Sequence, residues 1–156
     1  MSATMTPDTV QQTNSPNTFD DKFVEVDLKE SFSPEEETFL REIEAKIFSH
    51  LKFPEHWKDE DVSPPNSECK SKTYEVCKKL FRDYALRPNS ILASIEEGIY
   101  LSFDSKSEVS SLIVEIYNNL EIATLVNDNL KKEVVRSADI INADFVDIVK
   151  KFNEFK

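Results

Sequence analysis

One glycine, Gly98, serves all 156 residues of this chain. Loops that wrap phosphate or a dinucleotide need several glycines, because backbone must approach the ligand closely and enter positive φ without steric cost. With one glycine neither kind of loop can be built, and no serine stands in a glycine-flanked nucleophile elbow. Most nucleotide-dependent enzymes are thereby excluded. Gly98 lies inside Ile91–Val126, a run that alternates apolar and polar residues like an antiparallel sheet. Residues 91–104 read as a strand, a reversal at Glu97-Gly98 and a second strand. A two-residue hairpin turn demands positive φ, so the pattern predicts Gly98 as a turn residue.

The alternation continues beyond that hairpin. Ile99, Leu101 and Phe103 alternate with Tyr100, Ser102 and Asp104, and Leu112, Val114 and Ile116 with Ile113, Glu115 and Tyr117. Asp104–Glu108 is a polar connection, Asn118-Asn119 suits a two-residue turn, and Glu121–Asn127 reads as the fourth strand. Glu133–Ala138 is ambiguous between a helical turn and a fifth strand; its paired β-branched valines favour the strand.

Helical signals flank this sheet. Ser33-Pro34-Glu35-Glu36 is a helix start, with Ser33 as N-cap, Pro34 in the first helical position and Glu36 placed for a capping box. Leu40, Ile43, Ile47 and Leu51 follow at helical spacing, widened by Phe39 and Phe48, and predict a helix over 34–51. Residues 52–66, with three prolines, read as a loop. Asn66 or Ser67 then caps a second helix, whose apolar stripe is Cys69, Thr73, Val76, Cys77, Leu80 and Tyr84, closed by Pro88. Asn142 is expected to cap a final helix with Phe145, Ile148, Val149, Phe152 and Phe155 on one side. The fold class is α+β: two N-terminal helices, a four- to five-stranded antiparallel meander and a C-terminal helix. Residues 1–22, rich in Thr, Ser, Asn, Gln and Pro, are expected to be a flexible tail, leaving 23–156 as a single domain in which Phe23–Leu28 is a short strand or an extended arm.

The formal charge is −11 and is unevenly distributed: residues 1–61 carry 15 acids against 6 bases, the remainder 15 against 13. Such a field disfavours direct binding to nucleic acid and to anionic membrane and favours basic protein surfaces. No apolar stretch approaches the roughly 20 residues of a membrane helix, and no signal-like segment is present, so a cytoplasmic location is expected. Cys69 and Cys77, two thiols on one predicted apolar stripe, read as buried and inert rather than as a disulfide framework.

The order of features resembles a widespread group of small bacterial proteins with a Trp-Asp-Gly-Tyr-Gly-Ala-like loop and a Gly-Ile-x-Leu-x-Trp strand. The residues that carry the likeness are Trp57, Asp59 or Asp61, Pro64-Pro65-Asn66, Pro88 and Gly98-Ile99-Tyr100-Leu101-Ser102-Phe103, with Phe103 at the tryptophan position. The likeness spans roughly residues 40–127. It implies structural roles for the matched positions, no catalytic residues, and association with toxin or phage-defence modules, hence an antitoxin-like inhibitor or accessory subunit.

His50, His56, Trp57, Asp59, Glu60 and Asp61, with Cys69 further on, are the strongest constellation for an enzyme or a metal. Its spacing across Pro54 is poor for a metal site, and His50 reads as a helix-end residue facing the negative end of the dipole. The lysine-rich outer face of the second helix is interrupted by Glu75 and Asp83 and reads as a solvated face. Aromatic residues remain: Phe53 and Trp57 stand in a charged loop, as interface anchors do. The expected function is a non-catalytic binding module without metal or cofactor. In it Glu35, Glu36, Glu37, Asp59, Glu60 and Asp61 steer a basic protein partner onto Phe53 and Trp57. A nucleic-acid mimic that inhibits a DNA-binding enzyme, and an enzyme using His56 and Asp59, are the alternatives. Secretion chaperones are also small, acidic and α+β, but intersperse their helices among the strands; self-association through a sheet edge stays open.

Overall fold

The computed structural model describes residues 33–154. The tail expected over 1–22, the segment Phe23–Leu28 and Phe155 lie outside the described residues. The chain divides into two units, Met1–Phe39 and Leu40–Lys156. In the first, helix α1 (Pro34–Phe48) begins: Ser33 Oγ accepts from the Glu36 N–H at 3.1 Å, and Glu35, Glu36 and Glu37 fill the first turn, where the helix dipole favours negative charge.

In the second unit α1 continues, with Leu40, Ile43 and Ile47 buried at helical spacing. The predicted loop contains one short helix, α2 (Glu55–Asp59), which starts after Pro54 without a side-chain cap. Helix α3 (Ser67–Tyr84) is capped by Asn66, whose Oδ1 accepts from the Cys69 N–H at 2.7 Å. It ends at Tyr84, four residues before Pro88, because Ala85 takes the left-handed conformation and its N–H closes onto Phe81 O. Five strands follow: β1 (Ser90–Ser94), β2 (Gly98–Asp104), β3 (Ser110–Tyr117), β4 (Ile122–Asp128) and β5 (Glu133–Ile140). They form an antiparallel meander in sequence order, and the ambiguous segment at 133–138 is its fifth strand. Helix α4 (Val146–Asn153) closes the unit.

Directly opposed residues share a face, so the register sorts the sheet into two sides. One side carries Ile99, Leu101 and Phe103 of β2, Leu112, Val114 and Ile116 of β3, and Ile122, Thr124 and Val126 of β4. All are buried. Helix α3 packs on β2 and β3, and α4 on β3, β4 and β5. Their buried stripes are Cys69, Thr73, Val76, Cys77 and Leu80 on α3 and Ile148, Val149 and Phe152 on α4; Tyr84, expected on the first stripe, is half-buried, Phe145 is buried but precedes α4, and both cysteines are free thiols.

The turns differ from expectation in one consistent way. Gly98 does not supply the positive φ of the first hairpin; Glu97 does, at 67°, at the end of a three-residue loop. Gly98 is the first residue of β2 and is required for a different reason: a Cβ there would overlap the Ile116 carbonyl oxygen and lie 2.7 Å from Tyr117 Cα. In the third hairpin the left-handed residue is Leu120 (73°) rather than Asn118 or Asn119, and the second and fourth use Glu108 (61°) and Lys132 (57°). A three-residue hairpin loop places its left-handed residue last; Glu97 stands just before β2, and Leu120 ends the loop that Tyr117 N–H closes onto Glu121 O at 2.9 Å. Asn142 is also displaced from its expected role. It forms a turn with Ala143, both at positive φ, closed by Asp144 N–H to Ile141 O at 3.2 Å; Phe145 occupies the N-cap position of α4.

Candidate functional site

The proline-rich connection between α1 and α3 is tied to the turn end of the sheet. Ser63 N–H donates to Glu97 Oε2 at 3.0 Å, Asn66 N–H to Asn118 Oδ1 at 2.9 Å, and Asn118 Nδ2 to Pro64 O at 3.1 Å. Within this connection Phe53 and Trp57 meet edge to face with ring centroids 5.5 Å apart, and both are half-buried. Asp59, Glu60 and Asp61 follow directly and are exposed, with Asp61 in the left-handed region at φ 62°. The expected aromatic and acidic residues of this loop are therefore brought together. Glu35, Glu36 and Glu37 belong to the first unit.

The residues of the His-containing constellation are spread over the end of α1, α2 and α3. His56 is exposed on α2, its ring 6.2 Å from that of Trp57, and His50 follows the last turn of α1. Cys69 is buried and its Sγ donates to Ile116 O at 3.2 Å. Among the described residues no group of three His, Cys, Asp or Glu is placed to hold a metal ion. Burial raises the Cys69 thiol above its ordinary range and pushes Cys77 up to about 12. The lysine-rich face of α3 is laced with ion pairs, Lys78 to Glu75 at 3.4 Å and Lys79 to Asp83 at 2.9 Å, so it is not a free cationic stripe. Among the described residues no helix is long and apolar enough to cross a membrane.

The second side of the sheet was only partly visible in the sequence. Register places Leu92, Tyr100, Glu115, Ala123 and Asp139 in one row across all five strands. Ser90, Ser102, Ile113, Leu125 and Ser137 form the next row, and Tyr117 stands on the other flank beside Gly98. Leu92 is 54% exposed and Tyr100, Glu115, Tyr117, Ala123 and Leu125 are half-buried, while Ile113 and Ser94 on the same side are buried. Its charged strand residues are Asp104, Glu115 and Asp139, and none is a cation.

Around Ala123 the surface dips into a concavity of about 450 Å³, lined by Ile113, Glu115, Tyr117, Leu125, Ser137 and Asp139. Alanine is the smallest side chain of its row, and the taller residues on either side make the walls. Ser94 Oγ donates to Glu115 Oε2 at 2.6 Å and orients that carboxylate. The two tyrosines register the local field. Burial and the neighbouring Glu115 and Asp104 push the Tyr100 hydroxyl up, and burial with Glu115, Glu96, Asp139 and Glu121 does the same for Tyr117. The sequence signal for this site was the alternation that puts Tyr100, Glu115 and Tyr117 opposite the apolar residues; the row they form needs the pairing of five strands. No family model, curated protein or solved structure matches this chain.

Proposed function

We propose that this chain is a non-catalytic, cytoplasmic protein-binding module whose partner is a basic protein surface. The observation that carries the reading is the open side of the sheet, where two tyrosines and several aliphatic residues share a surface with three carboxylates and no strand cation. Aromatic side chains supply most of the binding energy at protein interfaces, and uniform charge steers the encounter and selects a partner of opposite sign. The Phe53–Trp57 pair beside Asp59, Glu60 and Asp61 repeats that combination in the connection before α3. In the first unit Glu35, Glu36 and Glu37 form an acidic cluster of their own. An antitoxin-like inhibitor, or an accessory subunit of a defence or mobile-element system, is the specific form of this reading. No observation favours phosphate mimicry or a His56–Asp59 enzyme over it.

Capture from a lysate of the source organism, at low and at moderate salt, tests the proposal. The expected result is a stoichiometric protein of basic composition, retained less as salt rises and less by the variants Trp57→Ala and Tyr100→Ser. Failure to retain any stoichiometric protein in either salt would overturn it.

A further inference from the structure

We infer that the outer edge of β5 is a dimer interface, where β5 pairs antiparallel with β5 of a second copy of this chain about a two-fold axis at Ala138. The inference is independent of the basic partner proposed above. Tyr117 N–H donates to Glu121 O at 2.9 Å, which makes these two a hydrogen-bonded pair at the start of the β3–β4 ladder. Bonding direction alternates along an antiparallel strand. Ile122, Thr124 and Val126 therefore turn their N–H and C=O groups to β5, and their partners Ile140, Ala138 and Arg136 turn theirs to β4. The Thr124 hydroxyl, donating to Ala138 O at 2.8 Å, agrees with that direction. Ser137 and Asp139 then present N–H and C=O outward; both residues are exposed, and no strand among the described residues lies beyond β5. The opposite edge is less suited: β1 has five residues to the eight of β5, and Pro88 stands just ahead of it.

Symmetry and charge fix the register. A two-fold axis between identical antiparallel strands passes through an opposed pair, so one residue must face its own copy. Arg136 or Asp139 at the axis would set like charges directly opposite each other. Ser137 at the axis would set Asp139 against Val135, which the irregularity beside Val126 leaves without a partner in β4. Ala138 at the axis uses regular residues alone. Ser137 then opposes Asp139 of the second copy on both sides of the axis, and each pair exchanges backbone hydrogen bonds and sets a hydroxyl across from a carboxylate. The axis pair is a non-hydrogen-bonded one, where Cα atoms approach to about 4.5 Å and the small side chain of alanine fits.

The two ends of β5 favour a second copy over a foreign strand. Lys131 and Lys132 precede the strand, whereas Asp139, Asp144 and Asp147 stand at its far end and beyond, and all five are exposed. Leu130 and Val134 at the first end and Ile141 and Val146 at the second make up half of the eight large apolar side chains exposed among the described residues. A strand that is basic and apolar at one end, acidic and apolar at the other, complements its own reverse. The axis stands perpendicular to the sheet, so the open sides of both copies face one way and join into a continuous surface.

Sedimentation equilibrium of the full chain tests the interface. One strand pair is narrower than a standard interface, so a dimer with Kd on the order of 10–100 µM is expected. Ser137→Pro removes an outward N–H and no β4–β5 bond, and should weaken the dimer roughly tenfold or more. Leu92→Ser, at the opposite edge, should leave it unchanged. Ala138→Cys should give a disulfide-linked dimer in oxidised glutathione, far faster than Asp139→Cys, because the axis brings only position 138 to its own copy within bridging distance. A chain that stays monomeric at millimolar concentration, a dimer indifferent to Ser137→Pro, or equal cross-linking at 138 and 139 overturns the interface. Circular dichroism checks the fold of each variant, and if Ser137→Pro unfolds, the cross-linking result decides.

Discussion

Gly98 and Ile116 lie so close across the β2–β3 ladder that a Cβ on the glycine would overlap the Ile116 carbonyl oxygen. The sole glycine of the chain is thus kept by an approach of two backbones, not by its own dihedral angle, since its φ is not positive. The same approach bears on the open side of the sheet, because Tyr117 is the partner of Gly98 and Glu115 is two residues before it. Gly98→Ala must push β3 away or break the pairing, with no flexible side chain available to yield. Urea unfolding should show a loss of about 2–3 kcal/mol, within the range of overpacking substitutions.

The opposite sign is expected at Lys132. It is exposed, it occupies the last hairpin at φ 57°, and an L-residue in that region costs about 1 kcal/mol that glycine does not. Part of the gain is offset by the larger entropy of glycine in the unfolded chain. Lys132→Gly should therefore raise stability by roughly 0.5 kcal/mol, read as a higher denaturation midpoint at unchanged slope.

Asn66 joins three functions at one point. Its Oδ1 caps α3 through Cys69 N–H, its own N–H donates to Asn118 Oδ1, and its Nδ2 donates to Asn118 O at 3.3 Å. Asn66→Ala removes the cap and the Nδ2 contact, and a loss of about 1–2 kcal/mol is expected. Asn118→Ala should cost a similar amount by freeing the Asn66 N–H and Pro64 O; the two substitutions remove different hydrogen bonds, so the double substitution should cost close to the sum, which a double-mutant cycle measures.

The alkaline limb of stability is governed by groups whose neutral form the fold prefers. Cys77 titrates at about 12 when folded against an ordinary value of 9.0, and Cys69, Tyr100 and Tyr117 are shifted in the same direction. A raised folded value means that the unfolded chain releases protons first. The stabilisation is complete below pH 9 and is lost as pH rises from 9 towards 12, with Cys77 alone contributing a slope approaching about 1.4 kcal/mol per pH unit. Unfolding free energy measured across that window should fall, less steeply for Cys77→Val. At pH 8 burial keeps Cys77 in its thiol form in the native state, so a thiol reagent should react only after denaturant is added.

Periods of 2 and 3.6 residues are local properties, and everything that follows from them was legible in the chain. Strands β1–β5, most of the buried stripes of α3 and α4 and the buried thiols are consequences of which side chains recur at which spacing, and of the two cap candidates Asn66 and Ser67 the structure uses Asn66. The paired valines of Glu133–Ala138 pointed to a strand for the same reason. The Phe53 and Trp57 loop was singled out by composition, but not its short helix or the edge-to-face contact between the two rings.

What escaped local reading depends on partners distant in the chain. Left-handed residues were sought at glycine and asparagine; loop length and strand twist instead placed them at Glu97, Glu108, Leu120 and Lys132, and packing outweighed the local cost. The reason for Gly98 is a backbone eighteen residues further on. Ala123 is unremarkable in sequence and becomes the floor of a concavity because two registers set Glu115 and Asp139 on either side of it. Alternation settles which residues share a face of one strand, but a row across five strands exists only once the registers are chosen, and those arise from turns and core burial acting together.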